Sequence, residues 1–194
     1  LIPDKKFYKK GETAKVLVNS PFVPAEGLAT YARQGILKTV QFSMKSASHT
    51  LEIPIDENLT PGLHLRVDLV GSAPRLNAKG LSDPTLPRRP AFAAGTVYLG
   101  VPAVLRTLTV VTRPKHKKVA PGSETTVTVA VTDAQKKPVS GAEVAVVVID
   151  EAILALAGYG FRSPIGSFYG SLPMGVTPID LRRFVMLVNP DEVK

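Results

Sequence analysis

Leu63, Leu65, Val67 and Leu69 alternate with His64, Arg66 and Asp68, and this period of two recurs along most of the chain. Strand side chains point to opposite faces in turn, so each such run predicts a strand with one apolar and one polar face. Thr126, Thr128 and Thr132 alternate with Val127, Val129 and Val131, and Leu51, Ile53 and Ile55 with Glu52 and Pro54. Val, Ile and Thr suit a pleated, half-buried surface. The 15 Gly and 17 Pro punctuate the runs, at a spacing of about 10 residues that an antiparallel sandwich requires. Strands are expected over 14–19, 29–33, 37–43, 50–55, 63–70, 96–101, 107–111, 125–132 and 142–149, with a further extended run at 183–188. Only 150–157 has helical character, with Asp150 as its cap and Ile153, Leu154 and Leu156 along an apolar side; a strand end is the alternative there.

An internal repeat divides the chain. Lys9-Lys10-Gly11-Glu12-Thr13 precedes one alternating strand, and Ala120-Pro121-Gly122-Ser123-Glu124-Thr125 precedes another, with Gly11 and Gly122 111 positions apart. The glycines predict turns that need positive φ. A spacing of about 100–110 residues is the length of one immunoglobulin-like sandwich. The expected fold is therefore all-β, with two tandem antiparallel immunoglobulin-like β-sandwich domains at 1–104 and 105–194. The second is short of residues: its closing strands are expected beyond Lys194, or past an insertion that starts near 157.

Two stretches break the strand rhythm. Residues 71–95 read as a linker containing Pro74, Pro84, Pro87 and Pro90, and loops this long tend to be functional or disordered. Residues 157–178 mix Gly158, Gly160, Gly166, Gly170 and Gly175 with Pro164, Pro173 and Pro178, and no period of two or 3.6 survives.

Composition and motifs exclude most chemistry. The absence of Cys removes disulfides, thiolate metal sites and Cys nucleophiles. His49, His64 and His116 share no ligand spacing, so no metal and no cofactor is expected, and His64 is expected to face solvent. Gly158-Tyr159-Gly160 sits in no strand–helix unit, and no phosphate loop or nucleophile elbow occurs. Asp150 and Glu151 are adjacent and fit poorly as an acid–base pair; they read as a polar cap. Asn58-Leu59-Thr60 matches a glycosylation sequon but is followed at once by Pro61. The net charge of +8 is spread over both parts, in short clusters such as Lys115, Lys117 and Lys118. A nucleic-acid surface would gather charge into one stripe with interleaved aromatics, so no nucleic-acid partner is expected. No apolar run reaches the ~20 residues that span a bilayer. The start, Leu1-Ile2-Pro3-Asp4, has no initiator Met and no secretory pattern, and reads as part of something longer or processed. The chain is not expected to be an enzyme.

Val146–Leu156 reads Val-Val-Val-Ile-Asp-Glu-Ala-Ile-Leu-Ala-Leu. With the Pro-Gly-x-Glu-Thr turn at 121–125, this resembles the alpha-2-macroglobulin family, its bacterial branch in particular. In that family a Val-Asp-Glu-Ala/Ser-x-Leu-x-Leu stretch ends a strand of a macroglobulin-like domain, and the bait region emerges shortly after it; Asp150, Glu151, Leu154 and Leu156 match that structural motif. Residues 8–21 resemble the branch's Tyr-x-Pro-Gly-Glu-Thr-Ala opening, with Lys10 where Pro is usual. Leu86-Pro87-Arg88-Arg89, followed by Gly95 and Leu99, is similar to its inter-strand connection, and 168–182 to the segment leading into the bait.

The resemblance implies two consecutive macroglobulin-like sandwiches of a broad-spectrum protease trap with a place in host defence. A target endopeptidase cleaves the bait, the molecule rearranges, and the protease is enclosed. Implied partners are target endopeptidases and other macroglobulin-like domains of the same parent chain. The implied setting is the periplasm, the cell envelope or the extracellular space, with a membrane-anchored parent allowed. Thioester-bearing members couple covalently through a Cys, which this chain lacks. A bait must present extended, exposed backbone, and the aperiodic tail has few ways to bury itself. It carries side chains that different protease pockets favour: Arg162, Phe168, Tyr169, Leu172, Met174, Arg182, Arg183 and Phe184. An ordinary loop followed by an edge strand remains the alternative for this tail, and the bait can also begin beyond Lys194. Arg75, Lys79, Arg88 and Arg89 make 71–95 a competing protease-sensitive stretch. Tandem structural or adhesive repeats of a cell-surface or secreted protein fit the 111-residue spacing equally well.

Overall fold

The computed structural model describes residues 1–77, 79–120, 122–158, 160 and 163–179. The chain is all-β, with antiparallel pairing in every sheet. Strands β1 (Ile2–Pro3), β2 (Thr13–Asn19) and β5 (Ser48–Pro54) form one sheet in the order β1-β2-β5. Strands β3 (Ala25–Ala32), β4 (Ile36–Met44), β6 (Gly62–Ala73) and β9 (Arg89–Gly100) form a second, in the order β4-β3-β6-β9. Together these seven strands make the first sandwich.

Its core follows from the alternation. Ala14, Val16 and Val18 of β2 and Leu51 and Ile53 of β5 are buried in one cluster with Leu63, Leu65, Val67 and Leu69 of β6. The intervening β6 residues His64, Arg66 and Asp68 are half-buried on the other face. There the Arg66 guanidinium grips both carboxylate oxygens of Asp68, at 2.8 and 2.6 Å. Tyr8, 1% exposed, closes the cluster. Its hydroxyl donates to Asp4 Oδ1 at 2.8 Å, and the same oxygen accepts the Lys15 N–H, also at 2.8 Å.

The expected linker at 71–95 is largely strand. β6 runs on to Ala73 and β9 begins at Arg89, with Ala73 opposite Arg89. Only the tip leaves the ladder, carrying the short pair β7 (Arg75–Leu76) and β8 (Ser82–Asp83). Arg88 fastens it, donating to Ser72 Oγ, Ser72 O and Val23 O at 2.8, 2.6 and 3.0 Å.

Beyond a 3-10 turn at Val104–Arg106, β10 (Thr109–Pro114) and β11 (Val127–Thr132) pair antiparallel. Both repeat turns take the expected form. Glu12 N donates to Lys9 O and Ser123 N to Ala120 O, each at 3.1 Å, with Gly11 and Gly122 at φ +84° and +80°. That is a type II turn with its obligatory positive φ at the third position. The expected strand at 142–149 finds no partner among the described residues, and Val148 is 90% exposed. High β-propensity supplies no hydrogen bonds of its own without a neighbouring strand. The expected run at 183–188 lies outside the described residues.

Four carboxylates make the fold acid-sensitive. The Lys15 N–H, then the Tyr8 hydroxyl, hold Asp4 below the usual range. The Lys9 N–H and the Lys5 ammonium lower Glu12, Lys10 lowers Glu57, and Thr85 lowers Asp83. Folded values below unfolded ones add stability above the unfolded range and lose it as pH falls through the folded values. The thermal midpoint is therefore expected to hold down to about pH 5 and to fall below about pH 4. Asp4→Asn combined with Glu12→Gln should flatten part of that fall in a melting series across pH.

Candidate functional site

Glu151, Leu154 and Leu156 lie on α1 (Glu151–Ala157), and Asp150 stands just before it. Asp150 caps it, its carboxylate accepting the Ala152 N–H at 2.8 Å. Glu151 opens the first turn, where the N-terminal end of the helix favours an acid. Gly158, in the left-handed region at φ +60°, ends the helix by donating to Ala155 O and Leu154 O. The helical alternative for 150–157 is the one realised. Leu154 is half-buried and Leu156 is 93% exposed, so the apolar side of α1 is only partly covered.

The segment after α1 returns to the first sandwich. A single turn, α2 (Ile165–Phe168), leaves Phe168 81% exposed. The Tyr169 ring lies 5.5 Å from the guanidinium carbon of Arg106, a cation–π approach. Three successive carbonyls then meet donors of the first sandwich. Leu172 O accepts from His64 Nε2 at 3.0 Å, Pro173 O from Gln34 N at 2.9 Å and Met174 O from Gly35 N at 3.1 Å. A carbonyl only accepts, so the His64 ring carries its hydrogen on Nε2 in this contact. The expectation that His64 faces solvent is thus corrected: it sits half-buried under Leu172, with its ring 5.0 Å from that of Tyr98.

The receiving groups are prepared by local sequence. Gln34 and Gly35 form the β3–β4 turn, at φ +52° and +138°, with Arg33 N donating to Gly35 O at 2.8 Å. Arg33 holds the neighbouring loop by donating to Thr60 O and Asn58 O, each at 2.8 Å. Gly175, at φ +69°, lies flush on this turn: a Cβ there would stand 2.5 Å from Gln34 C and Cα.

Of the tail residues singled out by sequence, Phe168 is exposed and Tyr169, Leu172 and Met174 are half-buried in this return. Arg162, Arg182, Arg183 and Phe184 lie outside the described residues. Sequence reasoning missed Gln34, Gly35 and His64 as receiving groups. A Gln-Gly pair between two alternating runs marks a turn, but nothing in it marks a turn whose N–H groups are taken by a distant segment.

Among the described residues, no group of three or more His, Asp or Glu side chains is placed to hold a metal ion, and no helix is long and apolar enough to cross a membrane. The family model of the alpha-2-macroglobulin bait region domain matches residues 1–156. The chain belongs to this family. The matched region runs through the first sandwich, β10–β11 and all but the last residue of α1. The bait region domain is also similar to an alpha-2-macroglobulin homolog of the cyanobacterium Nostoc, 25% identical over 191 residues, which is 98% of this chain and 10% of that protein. A Dictyostelium discoideum protein named circularly permutated Ras protein 2 is 27% identical over 166 residues, 86% of this chain and 4% of that protein. The chain thus spans a small fraction of the length of both relatives.

Proposed function

We propose that this bait region domain is part of a broad-spectrum endopeptidase inhibitor, in which a target protease cleaves the segment after α1 and the parent protein then rearranges around it. The observation that carries this reading is the bait-region family match, which ends at Leu156, where the aperiodic Gly- and Pro-rich tail begins. A protease binds its substrate as an extended strand through backbone hydrogen bonds. α2 is a single turn, too short to persist once unpacked, so Phe168 can be drawn into such a strand. Exposed Phe168, half-buried Tyr169, and Arg162, Arg182, Arg183 and Phe184 offer aromatic and basic side chains to proteases of different specificity.

In the same reading the chain is divided at 104/105 into two macroglobulin-like units, and the second is completed by strands that lie past the insertion starting near 157 or beyond Lys194. Val110, Val127, Val129, Val144 and Val146, which line one open cleft, would then become core. Partners are target endopeptidases and neighbouring macroglobulin-like domains of the parent. The setting is the periplasm, the cell envelope or the extracellular space, where such proteases are met. Tandem structural or adhesive repeats of a cell-surface or secreted protein are the second reading, on the 111-residue spacing of the two turn motifs.

Brief digestion with trypsin, chymotrypsin and elastase, mapped by mass spectrometry, separates the two. The trap reading expects all three to cut first after residue 157, at least tenfold faster than in 74–88. First cuts confined to 74–88, with none after 157, would sink it.

A further inference from the structure

We propose that residues 172–175 are a backbone latch that fastens the tail to the first sandwich and withholds its own peptide bonds from cleavage. The latch rests on geometry; only its link to cleavage rests on the bait reading. Three consecutive carbonyls, of Leu172, Pro173 and Met174, are taken by His64 Nε2, Gln34 N and Gly35 N. An endopeptidase must place the carbonyl oxygen of the bond it cuts among its own N–H donors. A carbonyl already held by a donor of the sandwich is unavailable to that oxyanion site. The bond after Met174 is therefore shielded while the latch is closed. The bond after Leu172 is shielded in the same way and also leads into Pro173.

The fit is specific to backbone. Gly175 admits no side chain against Gln34 and takes a left-handed φ, so any larger residue forces the tail and the turn apart. The receiving N–H groups lie at a hairpin tip, where amides are ordinarily open to water. Upstream, Phe168 and its carbonyl carry no contact to the sandwich among the described hydrogen bonds, and Phe168 is 81% exposed. The closed latch thus divides the tail into an open side at Phe168 and a shielded side at Leu172–Gly175.

Amide hydrogen exchange on the whole chain tests this directly. In the unaltered chain the Gln34 and Gly35 amides should exchange roughly tenfold or more slowly than free turn amides. In Gly175→Val they should exchange at the free rate, while Ala29 and Leu65 inside the sheet stay protected and report an intact fold. His64→Ala, which keeps Gly175, should give an intermediate loss. Chymotrypsin should cut after Phe168 in both chains and after Met174 only in Gly175→Val. Free exchange at Gln34 and Gly35 in the unaltered chain would overturn the latch, as would cutting after Met174 at equal rates in both chains. An absence of all cuts beyond 157 in either chain, with Gln34 and Gly35 protected, would support the latch and refute the bait reading.

Discussion

Leu65→Ala should lower the thermal midpoint of the first sandwich by on the order of 15 °C, the largest effect expected of any single truncation here. Leu65 is 0% exposed and sits mid-strand in β6, paired with Tyr31 of β3 on one side and Val97 of β9 on the other. Both neighbours are themselves held in ladders, so the backbone cannot close over the missing methyls. Truncation of a buried Leu then costs about 2–5 kcal/mol, the lost transfer energy plus the cavity. A midpoint shift of less than a few degrees, read by near-ultraviolet circular dichroism, would mean that the two sheets are not packed on this cluster.

Gly62→Ala is expected to cost about 2–4 kcal/mol for a single methyl group. Gly62 starts β6 at φ +150°, opposite Gly100 of β9, and its Cβ would stand 2.5 Å from Leu99 O and against the Tyr98 hydroxyl. That hydroxyl donates to Pro61 O at 3.0 Å, and Val101 N donates to the same oxygen at 2.9 Å, so the clash cannot be relieved without breaking the corner that ends β9. Gly11→Ala is the control. It has a comparable need for positive φ but open space around the new methyl, and should cost only about 1 kcal/mol. Urea midpoints that fall equally for the two variants would show that φ strain alone, and not the contact with Leu99, governs position 62.

The glycines of the two repeat turns also mark what sequence reasoning can reach. Gly11 and Gly122 were legible because a type II turn leaves few other residues able to fill its third position, and the turn repeats with its strand. β6 was legible because its two faces meet different surroundings, core and water, and the residues record the difference. The run at 142–149 has no partner among the described residues, because Val-rich composition states a preference for a sheet without stating which strand receives it. The outward face of His64 misled for a related reason: alternation tells which side a residue takes, and not what later covers that side. The latch itself was illegible because its contacts are mostly backbone carbonyls and N–H groups, which every residue carries. Gly175 and His64 are the positions where side-chain identity bears on it, and one Gly among five in that tail and a lone His carry little information.

The path of the chain gives the latch a further property. The backbone leaves the first sandwich at Val101 and meets it again at Leu172, so β10, β11 and α1 all lie within one closed loop. While the loop is intact, Leu172–Gly175 is tethered beside its receiving turn, and contacts of this kind see an effective concentration that reaches the order of millimolar. A single break at Phe168 removes the tether that runs through α1 and α2. Three hydrogen bonds contribute about 0.5–1.5 kcal/mol each, too little to keep the latch closed without that tether. One hydrolysed bond on the open side would therefore loosen Leu172–Gly175 from the Gln34–Gly35 turn, with no further cut and no change in the sandwich.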